Sequence, residues 1–141
     1  MVTPDLRFPR VLHALIHLSL RDRVMSSAEI AQMLTTHPVV VRRLLAGLRD
    51  AGLLEATKGR AGGWRVARPL DEITMGDVFR ALGRPGLVEP RVTGDHPGCP
   101  VEGAVNRTLI EVETEASDLL LARYEATSLG DIARAAMTGD R

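Results

Sequence analysis

Ser26-Ser27-Ala28-Glu29-Ile30-Ala31-Gln32-Met33-Leu34, then Thr35-Thr36-His37-Pro38, then Val39-Val40-Val41-Arg42-Arg43-Leu44-Leu45, is the stretch that decides the fold of this chain. Ser26 and Glu29 stand in capping-box spacing, in which a hydroxyl and a carboxylate satisfy orphan backbone donors at a helix start. The helix predicted over Ala28–Leu34 turns Ile30, Ala31 and Leu34 inward. Thr35-Thr36-His37 forms a sharp turn. Pro38 suits the first position of the next helix, where its missing N–H is no loss. From Val39 to Ala51, Val41, Leu44, Leu45 and Leu48 share an inner face, which leaves Arg42, Arg43 and Arg49 outward. Gly52 accepts the left-handed conformation that ends a helix. Gly47 costs roughly 1 kcal/mol against alanine in a helix interior, a cost that a close helix contact would explain.

Two short strands, Leu53–Thr57 and Trp64–Ala67, flank the tip Lys58-Gly59-Arg60-Ala61-Gly62-Gly63, and Pro69 ends the second. The order helix, turn, helix, hairpin is the winged helix-turn-helix. It offers a rigid cationic helix to a major groove and a cationic loop beside it. Guanidinium donors match both guanine edges and phosphate oxygens. Arg42 and Arg43 are therefore expected to touch double-stranded DNA, with Arg49, at the far end of the helix, on a phosphate. A solvated helix face is the plainer account of three arginines, but the capped helix before them and the basic wing after them outweigh it. The tip lacks the Lys-Ser/Thr of a nucleotide-binding loop, so it reads as a hairpin turn carrying Lys58 and Arg60. Trp64 is expected to anchor the wing by packing.

Outward from this stretch, Leu6–Leu20 predicts a first helix with Val11, Leu12, Leu15, Ile16 and Ser19 on one face. Thr74 and Asp77 cap another over Thr74–Leu82, where Met75, Val78, Phe79 and Leu82 are apolar. In Gly83–Pro100, eight of 18 residues are glycine or proline, so a long loop is expected; such loops are commonly functional or disordered. Beyond it, Val105, Leu109, Val112, Ala116 and Leu119 repeat at spacings of four, three, four and three. That seam predicts helix pairing, with Leu120 and Tyr124 on a neighbouring face. Ser128 and Asp131 cap a last helix through Met137. The expected divisions are a DNA-binding head over 1–83, a sensor-position loop over 84–100, and dimerisation and C-terminal helices over 101–141. The fold class is mainly α with a small β-hairpin wing.

The 141 residues, 45% of them hydrophobic, suffice for one moderate core. No apolar run approaches the ~20 residues of a membrane span. Asp5, Arg7, Pro9 and Arg10 interrupt any signal-peptide pattern, so a cytoplasmic protein is expected. With 3% aromatic residues, recognition of single strands by base stacking is disfavoured. The net charge of +0 hides a division. Residues 1–70 hold 11 Lys/Arg against 5 Asp/Glu, and residues 71–141 hold 7 against 13. A nucleic-acid contact belongs in the basic half.

The quoted segments, Leu48-Arg49-Asp50-Ala51-Gly52-Leu53-Leu54, the wing Lys58–Pro69, Ile73-Thr74-Met75-Gly76-Asp77-Val78 and Cys99-Pro100-Val101 together resemble the Rrf-type family of bacterial winged-helix regulators. The resemblance covers nearly the whole chain. It implies a homodimer whose long helices cross, and a palindromic operator read by one winged helix per half-site. By position it places Val39, Val40, Arg42 and Arg43, with the turn residues Thr36 and His37, against bases and phosphates. It places Lys58 and Arg60 at a minor groove. Cluster-binding members bring several cysteines from the loop before the long helix, whereas this chain has only Cys99. An iron–sulfur centre normally needs several thiolates, so no cofactor is expected and the chain looks like a clusterless member.

Cys99 nonetheless sits at a predicted helix start, a setting that favours a reactive thiolate, and it is the candidate for redox sensing beside a plain packing role. His13 and His17 are four apart and could share a metal with Cys99 or His96 from a second copy of the chain. A polar helix flank is the simpler account, and no metal site is expected. No nucleophile elbow, His-Glu-x-x-His or paired carboxylate motif is present, so no enzyme activity is expected. The functional expectation is a sequence-specific regulator, acting as a repressor and answering a small-molecule or redox signal. Winged helices that dock proteins without binding DNA are the alternative, disfavoured by the basic first half.

Overall fold

The computed structural model describes residues 4–87 and 89–139. Its elements are α1 (Arg7–Arg21), α2 (Ser27–Leu34), α3 (Pro38–Asp50), β1 (Leu54–Thr57), β2 (Gly63–Val66), a 3-10 turn (Leu70–Glu72), α4 (Met75–Ala81), α5 (Pro100–Glu125) and α6 (Leu129–Thr138). The architecture is the expected one, mostly helical with a two-stranded antiparallel hairpin. Among the described residues no helix is long and apolar enough to cross a membrane.

Local sequence chemistry starts three of these helices. Capping boxes form at Ser26–Glu29, Thr74–Asp77 and Ser128–Asp131, each with the side chain accepting from the third residue's N–H and the reciprocal bond in place. Pro38 opens α3 as expected, and Gly52 follows its end at φ +77°. Leu53 N–H then donates to Leu48 O at 3.0 Å, which turns the chain directly into β1.

The buried residues described form one core. Val11, Leu15, Ile30, Val41, Leu45, Leu48, Ile73, Val78 and Leu129 are completely buried in it. The inner face of α1 comprises Phe8, Val11, Ala14, Leu15 and Leu18, which corrects the predicted stripe. Leu12 and Ile16 are only partly buried, and Ser19 is no core residue. The reason is tertiary: α1 is the central element, packed against α2, α3, α4, α6 and β2, so no single stripe describes its burial.

Phe8, Phe79 and Tyr124 form an aromatic triangle with ring centroids 5.1–5.2 Å apart. It clamps the C-terminal end of α5 to α1 and α4. Tyr124 therefore faces the head instead of supporting the seam, whereas Leu120 stays 38% exposed.

The chain then returns on itself. Thr74 and Ser128 pair as an antiparallel bridge, Leu129 N–H donates to Ile73 O at 2.8 Å, and Met75 N–H donates to Thr127 O at 2.9 Å. Arg134 on α6 bonds Asp71 at 2.7 Å and Asp131 at 2.8 Å. The last helix thus packs on the head, even though it follows the long helix in sequence.

Candidate nucleic-acid interface

Alpha-2 and α3 cross at the Thr35–His37 turn, where Thr35 ends α2 at φ 54°. Pro38 sets the direction of α3, and burial of Val41, Leu45 and Leu48 fixes its rotation. That rotation leaves Val39 57% and Val40 46% exposed at its first turn. Arg42, Arg43 and Arg49 are also exposed. Arg49 pairs with Asp50 at 3.3 Å. Among the described residues, Arg42 and Arg43 make no side-chain hydrogen bond or ion pair. Two guanidiniums and two apolar side chains thus stand on one rigid helix end, with donors and methyl groups free for an incoming surface. His37 is exposed and caps α3 without a side-chain bond, and Thr36 is half-buried.

Gly47 has the predicted close contact. A Cβ placed there would lie 3.3 Å from Ala81 O, so α4 approaches α3 more closely than alanine comfortably allows. A groove of about 250 Å³ opens between these helices and α1, bordered by Arg7, Arg10, Thr36, Val40 and Arg43. The cations Arg7 and Arg10 were absent from the sequence-based set. Nothing in the pattern of α1 signals that its first turn lies beside α3. Asp5 holds Arg7 at 2.7 Å, and that bond lowers the Asp5 carboxyl below its usual range.

The wing is fastened at its base and free at its tip. Trp64 is 6% exposed, pairs with Met25 across an isolated bridge, and donates from Nε1 to Ser27 Oγ at 3.0 Å. Gly63 passes so close to the Met25 carbonyl that any side chain would collide with backbone. Lys58 and Arg60 project from the exposed tip. In this way Ser26 to Arg68 forms one continuous unit with exposed cations on α3 and at the wing tip.

Away from this surface, α5 runs 26 residues without a buried position, a rod of about 39 Å. Val105 is 51% exposed, Leu109 37%, Val112 57% and Leu119 66%, and Ala116 lies exposed among them. At about 100° per residue, this seam lies roughly a third of a turn from Leu121 and Tyr124, which face the head.

The preceding loop is tied to the same helix. Asn106 bonds the backbone of Thr93 at 2.8 and 3.2 Å, and His96 N–H donates to Glu102 at 3.0 Å. Cys99 is the N-cap of α5, half-buried and without a side-chain cap bond. The His13 and His17 rings meet edge-on at 4.6 Å. Among the described residues no three His, Cys, Asp or Glu side chains converge as a metal site.

A winged helix-turn-helix head clamped to one long, exposed helix defines a class of regulator folds. The family profile described as Rrf2, iron-dependent transcriptional regulator, matches residues 6–135. The chain belongs to the Rrf2 family of transcriptional regulators. It is 31% identical to the HTH-type transcriptional regulator IscR of Cereibacter sphaeroides over 97 residues, covering 66% of this chain and 59% of that protein. It therefore spans about three-fifths of that relative's length. Among solved structures, a Lactobacillus plantarum protein superimposes with a TM-score of 0.78 at 25% identity, covering 92% of this chain and 89% of the other. CymR, the global cysteine regulator of Bacillus subtilis, gives 0.64 at 25% identity, covering 95% and 98%.

Proposed function

We propose that this protein is a homodimeric repressor that binds a palindromic operator in double-stranded DNA. The observation carrying this reading is the exposed start of α3, where Val39, Val40, Arg42 and Arg43 stand together while Val41, Leu45 and Leu48 hold the helix in the core. The helix enters the major groove; Arg42 and Arg43 take guanine edges or phosphates, and the valines meet thymine methyls. Thr36 and His37 approach the flanking phosphates, as does Arg49. Lys58 and Arg60 follow the neighbouring minor groove, where cationic side chains gain most from a narrow groove.

The second copy is supplied by the α5 seam, and a dimer of two-fold symmetry reads a sequence of matching symmetry. The domains work accordingly: the head grips, the loop over 84–100 receives a signal, and α5 sets the spacing of the two heads. The setting is the cytoplasm. No step of this function requires catalysis.

The family description refers to iron, and the donor set of this chain does not fit a resident cluster. One cysteine in 141 residues cannot furnish the thiolates of an iron–sulfur centre. His96 bonds Glu102 through its backbone N–H at 3.0 Å, and its ring Nδ1 lies 3.7 Å from Glu102 Oε2, beyond hydrogen-bond reach. The signal in this reading is a small molecule, with Cys99 as the place where a thiol oxidant would act instead.

A gel-shift competition tests the reading. Operator fragments selected from random DNA should outcompete bulk DNA by orders of magnitude, and selected sequences should be palindromic. Equal competition by any fragment would leave only a docking module or a non-specific binder.

A further inference from the structure

A second cavity, of about 320 Å³, lies between the segment leaving α4 and the middle of α5. Its volume is in the range of small-ligand sites. Arg84, Leu87 and Glu89 line one wall; Glu113, Thr114 and Ser117 line the other. Glu113 Oε2 is buried and, among the described residues, is the one buried side-chain oxygen that accepts no hydrogen bond. A carboxylate oxygen withdrawn from water retains its demand for a donor, and leaving it empty costs more than for a neutral group. Arg84 faces the same space from a backbone held at φ 57°, a region that non-glycine residues enter rarely. Among the described residues no carboxylate pairs with it.

We propose that this cavity binds a small zwitterion, an α-amino acid or a close analogue. The Glu113 side chain turns its buried oxygen into the cleft to accept from the ammonium group, the ligand carboxylate meets Arg84, and the Thr114 and Ser117 hydroxyls complete the polar contacts. Leu87 supplies the apolar wall for its side chain. A bare divalent cation fits less well: a guanidinium borders the space, and among the described residues no three carboxylate, His or Cys side chains converge. An occupant would brace the segment leaving the head against the middle of the dimer helix. This inference identifies the signal in the regulator reading above, and its regulatory part rests on that reading.

The test uses the full chain without DNA, titrated with each common L-amino acid, n-butylamine, butyrate and magnesium chloride while binding heat and NMR shifts are followed. At least one amino acid should bind in the millimolar range or tighter, n-butylamine more weakly, and butyrate and magnesium not at all. Glu113→Gln should weaken the amino acid about tenfold or more, with operator affinity of the ligand-free protein unchanged. Arg84→Met, a change at an exposed position, should erase the preference for amino acid over n-butylamine. Failure of every amino acid to bind, unchanged affinity in Glu113→Gln, or magnesium binding in place of the ammonium compounds would each overturn the assignment. If operator binding is absent in all ligand-free forms, the regulator reading fails while the titration still decides the cavity.

Discussion

Trp64 Nε1 donates to Ser27 Oγ at 3.0 Å across 37 residues of sequence. This bond joins the second strand of the wing to the first turn of α2, next to the Ser26–Glu29 cap. The wing's orientation is therefore set by the helix-turn-helix itself. Ser27→Ala should cost about 1 kcal/mol of folding stability, and Trp64→Ala about 3–5 kcal/mol. Urea unfolding measures both. In a gel shift at a temperature where both variants are folded, Ser27→Ala should lose some operator affinity because the wing is less well held; full affinity would disconnect wing position from binding.

Arg43 and Lys58 should fail differently. Arg43→Ala should weaken a selected operator by about 1–3 kcal/mol and relax preference at one base position. Lys58→Ala should weaken all sequences alike and lower the salt slope by about 1. Titrations at several salt concentrations, with operator and random DNA, separate the two. A uniform loss from Arg43→Ala would reassign it to the phosphate backbone.

Val112 is 57% exposed on a helix with no buried residue. Val112→Asp places a charge in the middle of the proposed seam, whereas the head, clamped through Tyr124 and Leu129, keeps its core. Sedimentation should show a monomer with an undiminished helix signal by circular dichroism. Operator affinity should drop by orders of magnitude because each half-site is then bound alone. A dimer that survives this change would put the contact elsewhere on α5.

His17 holds its proton less readily than an ordinary histidine with a value of 6.5, because of partial burial first, then the nearby His13 and Arg21 charges. The unfolded chain therefore binds that proton more readily than the folded one. Stability from this site is complete above the ordinary histidine value and declines as pH falls through and below it. The thermal midpoint should drop between about pH 7.5 and about pH 5.5, and His17→Gln should flatten that drop. An unchanged slope in the variant would assign the acid sensitivity to other groups. Glu29, held low by Arg23 and the Ser26 backbone, acts in the same direction at lower pH.

Features encoded within a few residues were legible in the sequence. The three capping boxes, Pro38 at a helix start and Gly52 at a helix end each depend on neighbours in the chain, and each stands where the spacing put it. Gly47 was visible as an anomaly, but its cause, the Ala81 carbonyl, lies in another helix. Phe8, Ala14 and Leu18 were missed because periodicity assumes one packing partner, and α1 has five. Tyr124 fell near the seam by spacing, yet two phenylalanines from distant segments draw it to the other side. Arg7 and Arg10 had no local signal, and Glu113, in the alternating run Glu111, Glu113 and Glu115, reads from spacing as part of a solvated flank although one of its oxygens is buried. Their interest comes from the groove and the cavity beside them, which exist only once α1, α4 and α5 are assembled.

The return of α6 to the head gives α5 a mechanical character. Its C-terminal end is fixed by the aromatic triangle and by the strand-like pairing of Thr74 with Ser128. Among the described residues, the side chains near its opposite end bond only the loop residues Thr93 and His96. A rod clamped at one end and loaded at the other is a cantilever. On the proposed reading, a small deflection at Cys99 or at the Glu113 cleft would be carried to the seam, while the head and its clamped end keep their shape. In the dimer proposed above, regulation would need no hinge: bending one beam relative to its twin would be enough to change the distance between the two heads.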